Sequence, residues 1–239
     1  MPTRKVLYEG KAKQLVKGPN KDMLIQIFKD DATAYNKKKH KIFESKGVLN
    51  NKISEHIMLL LASKKIPTHF VKRINDREQM IKKCEIIPIE FVVRNIASGS
   101  ICSRLGIKDG LKLKKPLLEY YLKEDSLDDP IVSRDHLELF GWATKKEIEK
   151  IDRMSLKINH CLINHFKKKG ITLVDFKIEF GRLSSNKKKI VLADEISPDS
   201  CRLWDSKSKT KLDKDVFRKG IGNLIDAYEE VASRLGIVH

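Results

Sequence analysis

The segment Leu173-Val174-Asp175-Phe176-Lys177-Ile178-Glu179-Phe180-Gly181 constrains the fold more than any other. Its period of two is that of a strand, with Asp175, Lys177 and Glu179 on one face and Val174, Phe176, Ile178 and Phe180 on the other. The apolar face demands a core. The polar face carries three charges in a row, a pattern that a solvated strand surface would also leave. The next strand ends Leu192-Ala193-Asp194-Glu195. A hairpin whose turn is centred between Asn186 and Lys187 sets Glu179 opposite Asp194, and a one-residue slip brings Glu195 there instead. Two facing carboxylates repel unless a cation lies between them, and Mg²⁺ takes one or two carboxylates with water and phosphate oxygens completing its shell. Glu179 and Asp194 are therefore read as ligands of Mg²⁺ beside a nucleoside triphosphate.

The rest of the chain supplies partners for such a site. Val6-Leu7-Tyr8 and Gln14-Leu15-Val16 read as strands around the turn Gly10-Lys11-Ala12-Lys13, with residues 23–28 a third strand. Gly10 lets the backbone approach an anion, and Lys11 and Lys13 at alternate positions point the same way, towards phosphate. Residues 29–47 read as loop, 50–64 as a helix with Ile53, Ile57, Leu60 and Leu61 inward, and His69-Phe70-Val71 as a strand. A strand interrupted by Pro88 covers 84–93. Arg94, Gly99 and Ser100 follow it and suit a phosphomonoester, although a plain strand-to-helix turn has the same composition. Arg202 adds a second guanidinium. Thr144 with Glu147 is a capping box opening a helix to about Lys169, capped by Gly170. Two strands, 172–181 and 189–196, and a helix over 214–235 complete the chain. A boundary near residues 80–90 divides it into a β-rich lobe, 1–85, and an α+β lobe, 86–239.

Composition closes other routes. The net charge is +17, but only 11 of the 49 basic residues are Arg, the better reader of bases and phosphates. Much of the Lys stands in short runs, such as 37–39 and 167–169, that read as solvated turns and helix ends. Anionic small molecules profit from the same field as nucleic acid. The longest apolar run, 57–62, is far short of the roughly 20 residues of a membrane span, and no secretory leader is evident, so a cytoplasmic enzyme is expected. Cys84, Cys102, Cys161 and Cys201 form no C-x-x-C pair, and the seven His show no ligand spacing. There is no P-loop, and Gly220-Ile221-Gly222 lacks the third glycine of a dinucleotide fingerprint.

Together these segments resemble the SAICAR synthetases of purine biosynthesis over nearly the whole chain. The resemblance is carried by Leu7 to Lys13, Gly47-Val48-Leu49-Asn50-Asn51-Lys52, Ile66-Pro67-Thr68, Pro88 to Ser100, Leu173 to Gly181, Asp194 to Asp199 and Arg202-Leu203-Trp204-Asp205. It implies an α+β fold of two lobes with antiparallel sheets and flanking helices, and an ATP site in the cleft between them. It implies a ligase that joins carboxyaminoimidazole ribonucleotide to L-aspartate, with ATP, through an acyl phosphate. Lys11 and Lys13 would hold ATP phosphates, with Gly10 and Ala12 in the same turn. Lys82, Cys84 and Ile86 would lie in the hinge that meets adenine. Glu179 and Asp194 would hold Mg²⁺, with Lys177 beside the phosphates. Arg94, Gly99, Ser100 and Arg202 would take the ribonucleotide 5′-phosphate, with Asp175 on that side. Lys123 and Asp129 match family positions without an assigned role, and a homodimer follows by analogy. Ser98 stands where the family usually has Ala or Thr, and Lys37 where it often has Gly. A kinase, or a ligase of another substrate, would keep the metal pair but leave Arg94, Ser100 and Arg202 without joint use. A nucleic-acid-binding protein would leave the carboxylates unexplained.

Overall fold

In the computed structural model, residues 4–34 and 39–237 are described; Asn36, Lys37 and Lys38 lie outside them. A five-stranded sheet in the order β1-β2-β3-β7-β6 is built from β1 (Val6–Glu9), β2 (Lys13–Lys17), β3 (Met23–Phe28), β6 (Phe70–Arg73) and β7 (Glu78–Lys82). The stretch expected as loop instead forms a small hairpin of β4 (Asp31–Ala34) and β5 (Lys39–Ile42). Helix α1 (Lys46–Ser63) opens earlier than its apolar spacing suggests, at Ser45 with φ 68° and no side-chain cap.

One residue, Lys83, separates β7 from the next sheet. That sheet runs β10-β9-β8-β11-β12, from β8 (Cys84–Ile96), β9 (Lys112–Leu122), β10 (Ile131–Val132), β11 (Ile171–Leu183) and β12 (Asn186–Ala193). Both prolines inside its strands fall at irregularities: Pro88 where the β8–β11 register shifts, and Pro116 where the β8–β9 register shifts. β8 is thus one strand, not an interrupted one. At its start β11 comes so close that a Cβ on Gly181 would meet the Cys84 Cβ at 2.7 Å. Between β8 and β11 lie α2 (Ser100–Leu105), α3 (Arg134–Leu139) and α4 (Lys145–Lys168). α4 starts on the Thr144–Glu147 capping box and ends before Gly170, φ 69°.

The edge of β11 is shared. β12 pairs with residues 179–183, and β13 (Cys201–Asp205) with residues 171–176. Between the two strands the chain leaves the sheet beside Lys177, whose N–H donates to the Ser200 carbonyl at 2.8 Å. The hairpin register differs by one from expectation. Leu183 pairs with Asn186, the ladder then shifts, and Glu179 faces Ala193. Asp194 follows in the left-handed region, φ 61°, and so turns out of the ladder. The expected C-terminal helix is two, α5 (Asp215–Lys219) and α6 (Leu224–Leu235), broken at Gly220, φ 65°, and restarted by Asn223, whose side chain accepts from the Ile225 N–H.

One core cluster backs the second sheet and reaches Phe70 of β6 in the first. α4 lays Ile148, Ile151, Ile158, Leu162 and Phe166 on the second sheet, and Leu49, Ile53 and Ile57 of α1 join the same cluster as Tyr228 and Val231 of α6. The loop before β6 also crosses: the His69 N–H donates to the Leu192 carbonyl at 2.8 Å.

Candidate active site

The polar row of β11 is not a solvated face. Asp175 is 3% exposed and Glu179 7%, with Lys177 part-exposed between them. Burying three charges requires counter-charges, and β8, β13, the residue after β9 and the loop after β12 provide them.

At the Glu179 end, Lys123 after β9 reaches the Glu179 carboxylate at 2.5 Å, and Lys177 reaches Glu90 of β8 at 2.5 Å. Lys13 of β2 crosses from the other sheet to Asp194, and to Glu195 at 2.8 Å. The buried His69 ring, its pKa driven down to about 4 by burial, donates from Nε2 to the Asp194 carbonyl at 2.9 Å and so fixes that turn. Burial lifts the Glu179 carboxyl above its ordinary value, and the Asp194 charge adds to the lift. Burial also opposes ionisation of Asp194, but Lys13 outweighs it and brings that carboxyl down to about 2. The pair is thus electrostatically adjacent although not cross-strand partners. Among the described residues no three His, Cys, Asp or Glu side chains group to hold a metal. A pair of carboxylates is a donor set that fits Mg²⁺, which draws its remaining ligands from water and phosphate.

At the Asp175 end, Arg94 is 3% exposed. It donates to Asp175 at 2.7 Å, Glu119 at 2.6 Å, the Ser98 carbonyl at 3.1 Å and the Ser100 hydroxyl at 3.2 Å. Arg202 of β13 donates to the same Asp175 at 2.8 Å and to Asp215 at 3.1 Å. Gly99 lies against Arg202: its φ is +68°, and a Cβ there would stand 2.3 Å from a guanidinium nitrogen. Arg94, Gly99, Ser100 and Arg202 are therefore one cluster.

A third cluster was not foreseen. Asp199, in the excursion between β12 and β13, lies 2.5 Å from Lys46 and accepts from the Tyr228 hydroxyl at 2.6 Å and the Asn50 amide at 3.0 Å. Burial opposes its ionisation, but Lys46 and Lys214 outweigh it and hold the carboxyl far below the carboxylate range. Burial brings the Lys214 ammonium down to about 8 against the pull of Asp199, with Lys46 and Arg218 adding to the fall. A cavity of about 290 Å³ joins these clusters, with Lys177, Arg94, Arg202, Asp199 and Lys214 on its walls. The sequence held weak signals for them. Asp199 and Asn50 fell in segments that carry the resemblance, whereas nothing marked Lys46 or Lys214.

The remaining candidates divide. Lys11 and Lys13 do not point the same way: Lys13 is inside, while Lys11 pairs with Asp125 beyond β9 at 2.7 Å. Gly10 and Ala12 shape the turn through Gly10 N–H to Lys13 carbonyl and Lys29 N–H to Ala12 carbonyl, both 2.8 Å. Lys82, Cys84 and Ile86 lie elsewhere, at the joint between the sheets. Lys82 pairs with Met23 at one end of β3, and Lys13 with Phe28 at the other. Residues 84–86 are paired with β11, while β9 joins β8 only from Ile89, which leaves one backbone edge free of strands.

Fold and site together define a class: an α+β protein whose two sheets bring ammonium, guanidinium and carboxylate groups around small polyanions. A sequence model of the SAICAR synthetase family matches residues 6–235. The chain is similar to the phosphoribosylaminoimidazole-succinocarboxamide synthases of Pelagibacter ubique, at 59% identity over 100% of this chain and 92% of that one, and of Rhizobium meliloti, at 55% over 100% and 94%. Among solved structures, the synthase of Ehrlichia chaffeensis superposes with a TM-score of 0.97 at 49% identity, covering 98% of this chain and 100% of that one. A SAICAR synthetase in complex with ADP gives 0.93 at 44%, covering 97% of each. The chain belongs to the SAICAR synthetase family. It is an ATP-dependent ligase that condenses carboxyaminoimidazole ribonucleotide with L-aspartate in purine biosynthesis.

Proposed function

We propose that the three clusters divide the reaction among them, and the observation that carries this is one cavity beside β11 that the Asp175 and Asp199 clusters line and that Lys177 and Glu90 of the Glu179 end enter. The ribonucleotide 5′-phosphate takes the Arg94–Ser100–Arg202 cluster, where two guanidiniums held by Asp175 are already oriented. The triphosphate of ATP lies at Lys13 and Lys177, with Lys11 released from Asp125 to join it. Adenine meets the hinge from Lys82 to Ile86, at the backbone edge of residues 84–86 that no strand pairs. The relative solved with ADP supports a nucleotide site in this fold. The two lobes, 1–85 and 86–239, close on ATP from either side of Lys83.

Glu179 and Asp194 would hold Mg²⁺, which when bound neutralises and aligns phosphate oxygens. The chain's own groups do the rest. Lys13 and Lys177 stabilise charge on the transferring phosphoryl group without acting as nucleophiles. The imidazole carboxylate oxygen attacks the γ-phosphorus, and the bond to the β-phosphate oxygen breaks to release ADP. The aspartate amine then attacks the acyl carbon and expels inorganic phosphate. Among the described residues the Lys214 ammonium on the cavity wall has no side-chain hydrogen bond or close ion pair, so it takes a carboxylate of the incoming aspartate. The cytoplasm suits four cysteines that are all free.

The experiment is oxygen transfer. Ribonucleotide labelled with ¹⁸O in its carboxylate, turned over with MgATP and L-aspartate, should place one ¹⁸O in the inorganic phosphate. Unlabelled phosphate would refute the acyl phosphate. ADP formation that needs no ribonucleotide would refute the arrangement of the three clusters.

A further inference from the structure

Away from the cleft, α1 and α4 bring two histidines together. His56 and His165 are 109 positions apart in sequence, yet their Nε2 atoms are 3.0 Å apart, with ring centroids at 5.1 Å and planes inclined by 39°. Both rings are part-exposed. His56 lines a cavity of about 420 Å³ that shares no residue with the one in the cleft.

Three features suit this pair to a metal ion. First, the surroundings favour the neutral form of both rings. Burial lowers both pKa values, that of His165 to about 4, with Lys169 acting on both and His56 and Lys168 adding to the second. Metal-binding imidazoles must be neutral. Secondly, no other hydrogen bond fixes either ring among the described residues. One Nε2–H now donates to the other Nε2. Moving that proton to Nδ1 frees both lone pairs with no net loss of a proton. Thirdly, the spacing is within the reach of one ion. At a metal–nitrogen distance of about 2.1 Å, two ligands at a right angle stand about 3.0 Å apart, and two at the tetrahedral angle about 3.4 Å. The observed 3.0 Å is the length of the hydrogen bond itself; it lets both nitrogens reach one ion at a right angle after the rings tilt off the bond, the angle that tetragonal Cu²⁺ and Ni²⁺ prefer. Charge weighs on both sides. Lys168 and Lys169 oppose a dication. Glu55 and Asp76 in the cavity wall favour one, though Arg73 holds Glu55 at 2.6 Å and Lys52 stands 3.8 Å from Asp76.

We propose that His56 and His165 form a two-imidazole site for a divalent transition-metal ion of tetragonal preference, Ni²⁺ or Cu²⁺, which clips α1 to α4. Water from the open cavity fills the other positions. The site lies apart from the ligase chemistry and takes no part in it.

The test uses the full chain without any affinity tag, stripped of metal by a chelator. Titration with NiCl₂ should show one tight equivalent, and the Cu²⁺ protein should show electron-spin coupling to two imidazole nitrogens. Ni²⁺ should raise the melting temperature. His56→Ala and His165→Ala should each weaken Ni²⁺ binding by at least about tenfold, the loss that even an outer partner of a metal ligand causes. Each should abolish the Ni²⁺-induced rise in melting temperature while leaving ligase turnover with MgATP unchanged. Absence of binding, coupling to a single nitrogen, or wild-type affinity in either variant would overturn the proposal. The spin measurement on the wild-type chain stands even where a variant folds poorly.

Discussion

Lys46 and Asp199 form a buried ion pair whose two halves should not cost the same to remove. Lys46 is 0% exposed, and the Asp199 carboxylate at 2.5 Å is its close ionic partner. Asp199 has more: the Tyr228 hydroxyl, the Asn50 amide and the field of Lys214. Asp199→Asn therefore strands a buried ammonium, and breaking a buried pair in this way costs about 3–5 kcal/mol. For a chain of this size that lowers the melting temperature by about 6–20 °C. Lys46→Met keeps the stem and leaves Asp199 with three partners. It loses one charge-assisted bond, about 1.5–3 kcal/mol, partly offset by the desolvation no longer required, for a net of about 1–2 kcal/mol. The double variant should be more stable than Asp199→Asn alone, because no charge is left stranded. Raising the pH should rescue Asp199→Asn, since a stranded lysine becomes neutral at a lowered pKa. Urea unfolding followed by circular dichroism measures all four corners of the cycle. A Lys46→Met variant as unstable as Asp199→Asn, or a double variant less stable than it, would refute the reasoning.

Four further outcomes are expected. Glu179→Gln should lower kcat by at least about 100-fold with an unchanged or higher melting temperature, because it removes a buried charge beside Asp194; retained ADP formation would remove Glu179 from the site. Lys214→Met should raise the KM for L-aspartate by about tenfold with the KM for ATP unchanged, the mark of a lost binding contact; a rise confined to ATP would reassign it. Gly99→Ala drives a Cβ to 2.3 Å from Arg202 at φ +68°; it should cost about 1–3 kcal/mol in backbone strain and raise the KM for the ribonucleotide, and normal kinetics would contradict the packing. Arg182 hydrogen-bonds Glu147 and, against burial, brings its carboxyl from 4.5 down to about 2. A carboxyl depressed in the folded state stabilises fully above pH 4.5 and loses that contribution as pH falls towards 2. At this part-exposed pair, after solvent screening, about 1–2 kcal/mol should vanish over that range, and Glu147→Gln should flatten urea stability there.

What the sequence discloses here is what lies within reach of one strand or one turn. The alternation of residues 173–181, the Thr144 capping box and the Gly170 stop are local, and each stands as read. What it conceals depends on register. Asp175 meets Arg94 and Arg202 because β8 and β13 both pair at that position, and neither pairing is visible in any single segment. The turn closes at Leu183 and Asn186, and the shift beyond it leaves Glu179 opposite Ala193, one short of Asp194, yet the left-handed turn at Asp194 and the His69 bond to its carbonyl bring the two carboxylates to one place. Lys46 escaped notice because its helix opens at an uncapped Ser45, leaving no start signal. The resemblance supplied the reaction, but not the reason its charges can be buried. That reason lies in the shared edge of β11. Two strands that pair with its opposite halves force the chain between them out of the sheet, and this excursion carries Asp194, Glu195 and Asp199 to the three lysines that face them. The carboxylates hold Lys13 and Lys46 in place before any substrate arrives, so an incoming phosphate meets an ordered ammonium at Lys13 rather than recruiting a mobile one.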